Sequence, residues 1–194
     1  MKIKFYYLFA AIIIFCTVCK KDKSLSQTVN LITNPSFEYN GQPTGNTWFY
    51  QFGALKNDTL AVEFTNDVPP EGGNWSLKLN IGSTQGNYHW FGFANTYISG
   101  INGTHIYNLK AWMKPSLNWH GSINIGKLSN KKFTKTKEVS TSSENWAIYS
   151  VTDTITTSIN DSIVINLYTG TQPVGWRHYV LFDLIELTKT KMFL

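Results

Sequence analysis

The sequence predicts an all-β fold, a single sandwich, on three observations. No long stretch places apolar residues at helical spacing. Short runs rich in Val, Ile, Thr, Phe, Tyr and Trp recur instead, divided by turn clusters at Pro69-Pro70-Glu71-Gly72-Gly73, Asn102-Gly103, Ser129-Asn130 and Asn160-Asp161. The better runs also alternate between apolar and polar residues, as half-buried strands do. Candidate strands span 29–33, 47–52, 59–65, 75–81, 89–98, 105–114, 121–127, 145–153, 162–169 and 178–188. About 165 residues follow position 28, enough for one well-buried domain and too few for two.

The chain opens with MKIKFYYLFAAIIIFCTVC. Lys2 and Lys4 form a basic start and Phe5 to Val18 an apolar run, short of the ~20 residues a spanning helix needs and proportioned like a signal peptide. Cys19 closes the run and Lys20-Lys21-Asp22-Lys23 follows at once. The arrangement resembles a bacterial lipoprotein signal over 1–18, with Cys19 as the acylated residue and 19–28 as a flexible tether. Val18 departs from the small residue that pattern prefers there, and Cys16 is the alternative acceptor; an uncleaved anchor and a plain signal also stay open. No cysteine follows Cys19, so the domain that follows must stand on its core without an internal disulfide.

The stretch 30–48, NLITNPSFEYNGQPTGNTW, begins apolar, turns at Asn34-Pro35 and continues through Phe37-Glu38. Pro35 fixes its own φ and biases Asn34 toward extended geometry, so two short strands meet at a corner. Glu38 enters where a core should begin, and a buried carboxylate needs a partner. Together with GGNWSLKLN (72–80), YNLKAWMKPS (107–116), NWAIYSVTDTI (145–155) and LFDLIEL (181–187), this stretch resembles the carbohydrate-binding modules of the family 4/9 kind. The resemblance covers 29–188, leaving 189–194 as a tail, and implies a galactose-binding-like jelly roll. It also implies a structural calcium held by Glu38 and Asp183 between the first and last strands, with carbonyls of 34–36 completing the cage. The metal-free alternative pairs Glu38 with backbone N–H groups and Asp183 with a lysine.

Alternation sorts the strands into faces. Tyr107, Leu109, Ala111 and Met113 share one side of their strand; Asn108, Lys110, Trp112 and Lys114 share the other. Ile163, Ile165 and Leu167 oppose Val164, Asn166 and Tyr168. Tyr179, Leu181, Ile185 and Leu187 form an apolar face with Asp183 in its midst. Phe37, Phe64, Tyr107 and Phe182 fit core positions, and Trp48 and Trp146 fit inner packing. Trp112 falls on an outward face between two lysines. A tryptophan there offers a flat surface to the C–H groups of a sugar ring, with Asn108 and Lys110 within reach of its hydroxyls. Trp90, Trp119, His120, Tyr168 and Trp176 are further candidates to border that face; ordinary packing or loop anchoring is the competing reading for each.

Charge and motif content exclude other classes. Arg177 is the only arginine, whereas a nucleic-acid surface needs basic groups spread over a face. Lys131, Lys132, Lys135 and Lys137 instead fit a solvated hairpin or edge strand, where lysine discourages edge-to-edge pairing. His89, His105, His120 and His178 show no metalloprotease spacing, and no Gly-x-Ser-x-Gly elbow occurs. The sparse acids, among them Asp58, Glu71, Glu144 and Asp161, fall mostly in turns, away from a glycosidase-like pair. The expectation is a monomeric, non-catalytic binder of polysaccharide or oligosaccharide, held to the bacterial outer membrane through a lipid at Cys19. The rival is a module of the same fold that binds a protein and no sugar.

Overall fold

The structure, a computed structural model, describes residues 29–52, 62–84, 88–170 and 178–191, apart from the side chains of 51, 52, 82–84, 88–92 and 191. These residues form strands and no helix. In chain order the strands are β1 (Glu38–Tyr39), β2 (Gln42–Pro43), β3 (Phe49–Phe52), β4 (Val62–Thr65), β5 (Ser76–Thr84) and β6 (Tyr88–Ser99). After these come β7 (Gly103–Pro115), β8 (Gly121–Ser129), β9 (Lys132–Thr141), β10 (Ala147–Thr157), β11 (Ser162–Tyr168) and β12 (His178–Lys191).

Two antiparallel layers result. The first runs β10-β7-β12-β5, with β4 beside β5. The second runs β3-β6-β11-β8-β9. Strand β6 belongs to both: Tyr88 to Phe91 pair with β5, and Gly92 to Ser99 pair with β3 and β11. The predicted single jelly-roll sandwich is the observed architecture.

The core lies between the layers, where alternation put it. Leu109 and Met113 of β7, Leu77 and Leu79 of β5, and Val180, Phe182, Ile185 and Leu187 of β12 meet Ile123 and Ile125 of β8 and Ile163, Ile165 and Leu167 of β11. Phe37, Trp48 and Trp119 close its ends. Phe182 is fully buried, so Phe182→Ala is expected to cost about 3–5 kcal/mol, read as a lower urea midpoint with unchanged slope; a cost near zero would place this ring outside the core.

Three departures from the sequence reading have local causes. Residues 29–33 form no strand; the Asn30 side chain does that work, its amide donating to Ile185 O and its oxygen accepting from the Leu187 and Ile32 N–H groups. The lysine run does form the edge strand read for it, β9, but as a full strand absent from the candidate strands, reached through a tight turn in which Asn130 and Lys131 both take positive φ (50° and 64°). The alternation read along β12 is broken by a bulge between Asp183 and Glu186, with Leu184 at φ 48°. Val180 and Phe182 therefore share the core with Ile185 and Leu187, while Tyr179 sits beneath the Lys78 ammonium. Asp183 stands opposite Trp112 in the register, in phase with Tyr179 and the buried Leu181 but out of phase with Ile185 and Leu187 beyond the bulge.

Candidate functional site

The residues expected to form one binding face divide between two. Asn108, Lys110 and Trp112 lie on the outward side of β7 in the first layer. Trp112 is half-buried there, between Ile148 of β10 and Asp183 of β12. Its flanking lysines are engaged: Lys110 reaches Glu186 at 3.4 Å, and Lys114 reaches Asp67 at 2.6 Å, the same carboxylate that accepts from the Trp146 indole. Asn108 Oδ1 has no partner among the described residues, although the residue as a whole is half-exposed. Trp119 is 2% exposed, its indole stacked 4.8 Å from the His178 ring and donating to Thr169 O; a ring held this way packs the core and offers no face to a ligand. His120 is exposed beside it at the rim. Trp176 and Cys19 lie outside the described residues, as does the side chain of Trp90. Tyr168 alone of these aromatics lies on the outward face of the second layer.

That second face has an ordered surface. Across β3, β6, β11, β8 and β9, one row reads Phe49, Asn95, Asn166, Asn124 and Glu138. The next reads Tyr97, Val164, Gly126 and Lys135 across β6, β11, β8 and β9, and on the other side Phe93, Tyr168, Ser122 and Ser140. The polar row is linked by Asn166 Nδ2 donating to Asn124 Oδ1 at 2.7 Å. The Asn95 side-chain oxygen is buried without a partner among the described residues. Aromatic rings bracket the row: Phe49 meets Tyr97 edge-to-face at 5.5 Å, and Phe93 meets Tyr168 edge-to-face at 6.1 Å.

Strand β9 supplies the far wall through a second bulge. Its register shifts opposite Ile125 and Gly126, and the Thr136 hydroxyl donates to Ile125 O. Odd-numbered Phe133 and Lys135 thus share a face with even-numbered Glu138 and Ser140, which strict alternation forbids. Gly126 makes room for the wall: a Cβ there would stand 2.5 Å from the Phe133 ring. Phe93, Asn95, Tyr97, Leu128, Phe133, Val164 and Asn166 enclose a depression of 160 Å³, and none of them is charged. Glu138 beyond it is held below the ordinary carboxylate range. Burial opposes its charge, but hydrogen bonds from Lys135 and Ser122 and the charges of Lys135 and His120 outweigh it. An apolar hollow with a few convergent polar groups is the usual form of a small-molecule site.

The Glu38–Asp183 pair forms a separate cluster. Asp183 is fully buried; one oxygen accepts from the Leu184 N–H at 2.7 Å and the other has no partner among the described residues. Burial, with the nearby Glu38 charge adding to it, pushes this carboxyl up to about 7 against the Leu184 hydrogen bond. Glu38 accepts from the Asn74 N–H at 2.7 Å. Gly72 and Gly73 cradle both acids: a Cβ on Gly72 would lie 2.7 Å from Asp183 Oδ2, and one on Gly73 would overlap Glu38 Oε1. At the 34–36 corner, Asn34 O accepts from the Trp48 indole and Pro35 O from the Ile185 N–H, which leaves each a second lone pair. Two carboxylates, one with an orphaned buried oxygen, beside main-chain oxygens form a donor set that suits a hard cation. Among the described residues no three His, Cys, Asp or Glu side chains gather as a metal cluster, so main-chain oxygens would complete any such cage.

The sequence of this chain matches no known family and no curated protein. Solved structures do match. TmCBM61 in complex with β-1,4-galactotriose aligns at a TM-score of 0.55 and 14% identity, over 84% of this chain and all of that one. The CBM22-1 xylan-binding domain of Paenibacillus barcinonensis Xyn10C aligns at 0.53 and 11% identity, over 86% of this chain and 97% of that one. The fold is that of carbohydrate-binding modules. It also occurs within larger proteins: the enzymatically active domain of bacteriophage CBA120 tailspike protein 4 aligns at 0.57 and 14% identity, over 84% of this chain but 22% of that one.

Sequence reasoning missed Phe49, Phe93, Asn95, Tyr97, Asn124 and Phe133. The signal for part of this set was present, since Val164, Asn166 and Tyr168 had been assigned to the face opposite the core. What it lacked was the pairing of β11 with β6 and β8, which no local pattern encodes.

Proposed function

We propose that the protein binds polysaccharide or oligosaccharide without catalysis, on the outward face of its second layer. The observation that carries this reading is the amide row Asn95-Asn166-Asn124, set low between the exposed rings of Phe49 and Tyr97 on one side and the half-buried Phe93 and Tyr168 on the other. Flat rings cover the apolar faces of a sugar while amides bond its hydroxyls, and together they discriminate a carbohydrate from an apolar ligand. The carbohydrate-binding-module fold supports the same reading, with its galactotriose- and xylan-binding relatives as precedents. A lipid on Cys19 would hold the domain at the outer membrane, and a calcium ion held by Glu38 and Asp183 would brace the 34–38 corner against β12. That ion would act on stability, since it lies away from the amide row.

Affinity electrophoresis of the domain against a panel of neutral and acidic polysaccharides tests the proposal. Retardation by at least one polymer, reversed by the free oligosaccharide, is expected. No retardation by any polymer, together with capture of a protein partner that needs the same face, would replace it with the scaffold reading.

A further inference from the structure

Within that reading, on which this inference rests, one residue stands out. Asn95 is 2% exposed, lines the depression, and holds a side-chain oxygen without a hydrogen-bond donor among the described residues. Leaving a buried acceptor unmade is costly, and folded proteins rarely do so without a reason. The neighbouring amides show the contrast, because the Asn124 oxygen accepts from Asn166 Nδ2. Asn95 sits at the other end of the same row, beside Phe49, a ring 59% exposed and so lightly held. A small movement of that ring or a rotation of the amide would bring the oxygen to a ligand.

The space beside it is bounded. Tyr97 and Phe133, 41% and 40% exposed, rise at its two ends; the Phe133 ring leans over Gly126, where a Cβ would stand 2.5 Å from it, and Val164 lies between the two rings. The hollow over Val164 is thus bordered by both aromatic side chains.

Charge narrows the choice of ring. Of the lysines around this sheet, Lys135 pairs with Glu138 on the face itself, Lys127 with Asp161 at 3.9 Å and Thr156 O and Lys137 with Thr152 O on the other side, and Lys131 and Lys132 stand at the β8–β9 turn outside the lining. The lining itself carries no charge to compensate a carboxylate or sulfate, and an unpaired charge is strongly disfavoured in such a hollow. We propose that Asn95 selects the ligand, its side-chain oxygen accepting a hydrogen bond from a hydroxyl of an uncharged sugar ring seated over Val164 between Tyr97 and Phe133.

The test uses Asn95→Leu, which keeps the branching at Cγ and removes the acceptor together with the amide donors. Affinity for the best neutral polymer of the panel is measured by calorimetry, and the thermal midpoint is measured without ligand. Binding is expected to weaken at least tenfold while the midpoint holds or rises, because the free protein sheds an unsatisfied group. A residue kept for packing alone would show the reverse, a lower midpoint with binding retained in the folded fraction, and that result overturns the assignment. So does a wild-type preference for polygalacturonate or alginate over every neutral polymer. If Tyr97→Ala abolishes binding and Asn95→Leu leaves it intact, the face is right and the selector is wrong. If the wild type binds no glycan at all, the underlying function falls with it.

Discussion

Tyr97→Ala and Phe133→Ala are each expected to weaken glycan binding at least tenfold, about 1.4 kcal/mol, and the double variant to abolish retardation in affinity gels. Both rings are large, partly exposed and placed at opposite ends of one hollow, the position of residues that dominate binding energy. Neither belongs to the core cluster, so the thermal midpoint should move by no more than a few degrees. Trp112→Ala is the internal control: it removes a larger aromatic from the other layer and should leave the affinity unchanged. Loss of binding in Trp112→Ala with retention in the double variant would return the site to the β7 face.

The second large effect concerns Asp183. Its carboxyl is raised from 3.8 to about 7 in the folded, metal-free protein, so the folded state keeps a proton that the unfolded chain releases across that window. Stability of the chelator-treated protein should therefore fall as pH rises from about 4 to about 7 and level off above, the opposite of an ordinary salt-bridged aspartate. The shift corresponds to a loss on the order of 4 kcal/mol. Calcium bound as proposed would oppose the proton at the same oxygens, so its addition should raise the thermal midpoint strongly at pH 8 and little at pH 5. Asp183→Asn should abolish the calcium response, flatten the pH dependence and raise the metal-free midpoint at pH 8. Thermal melts in EGTA and in millimolar calcium across pH 4–8 check all of this; a wild type indifferent to calcium at pH 8 would refute the metal role.

How far the residues alone reveal this molecule depends on whether the deciding interaction is local. Tyr107, Leu109, Ala111 and Met113 were assigned inward by alternation and are buried, because each obeys a period that neighbouring residues set. The Asp183 anomaly was visible too, but its cause was not. A bulge is a mismatch between two strands, and only the partner β7 shows that one residue too many lies between Asp183 and Glu186. The same holds for β9, whose Lys- and Thr-rich residues have no apolar face to announce a strand; pairing with β8 defines it. Trp112 was read correctly as outward-facing, yet outward in a two-layer protein means either of two surfaces. Alternation cannot tell which surface shares a row with Asn95 and Asn166.

The passage of β6 from one layer to the other has a mechanical consequence. Its first residues are laced to β5, and its later ones, Phe93, Asn95 and Tyr97 among them, line the hollow proposed to take the ligand. The leaves of the sandwich cannot peel apart while this shared rib stays intact, so slackening at the β5 hairpin is felt directly by the Asn95 row. Under the proposed function, grip on the ligand and cohesion of the two leaves would depend on one continuous length of backbone.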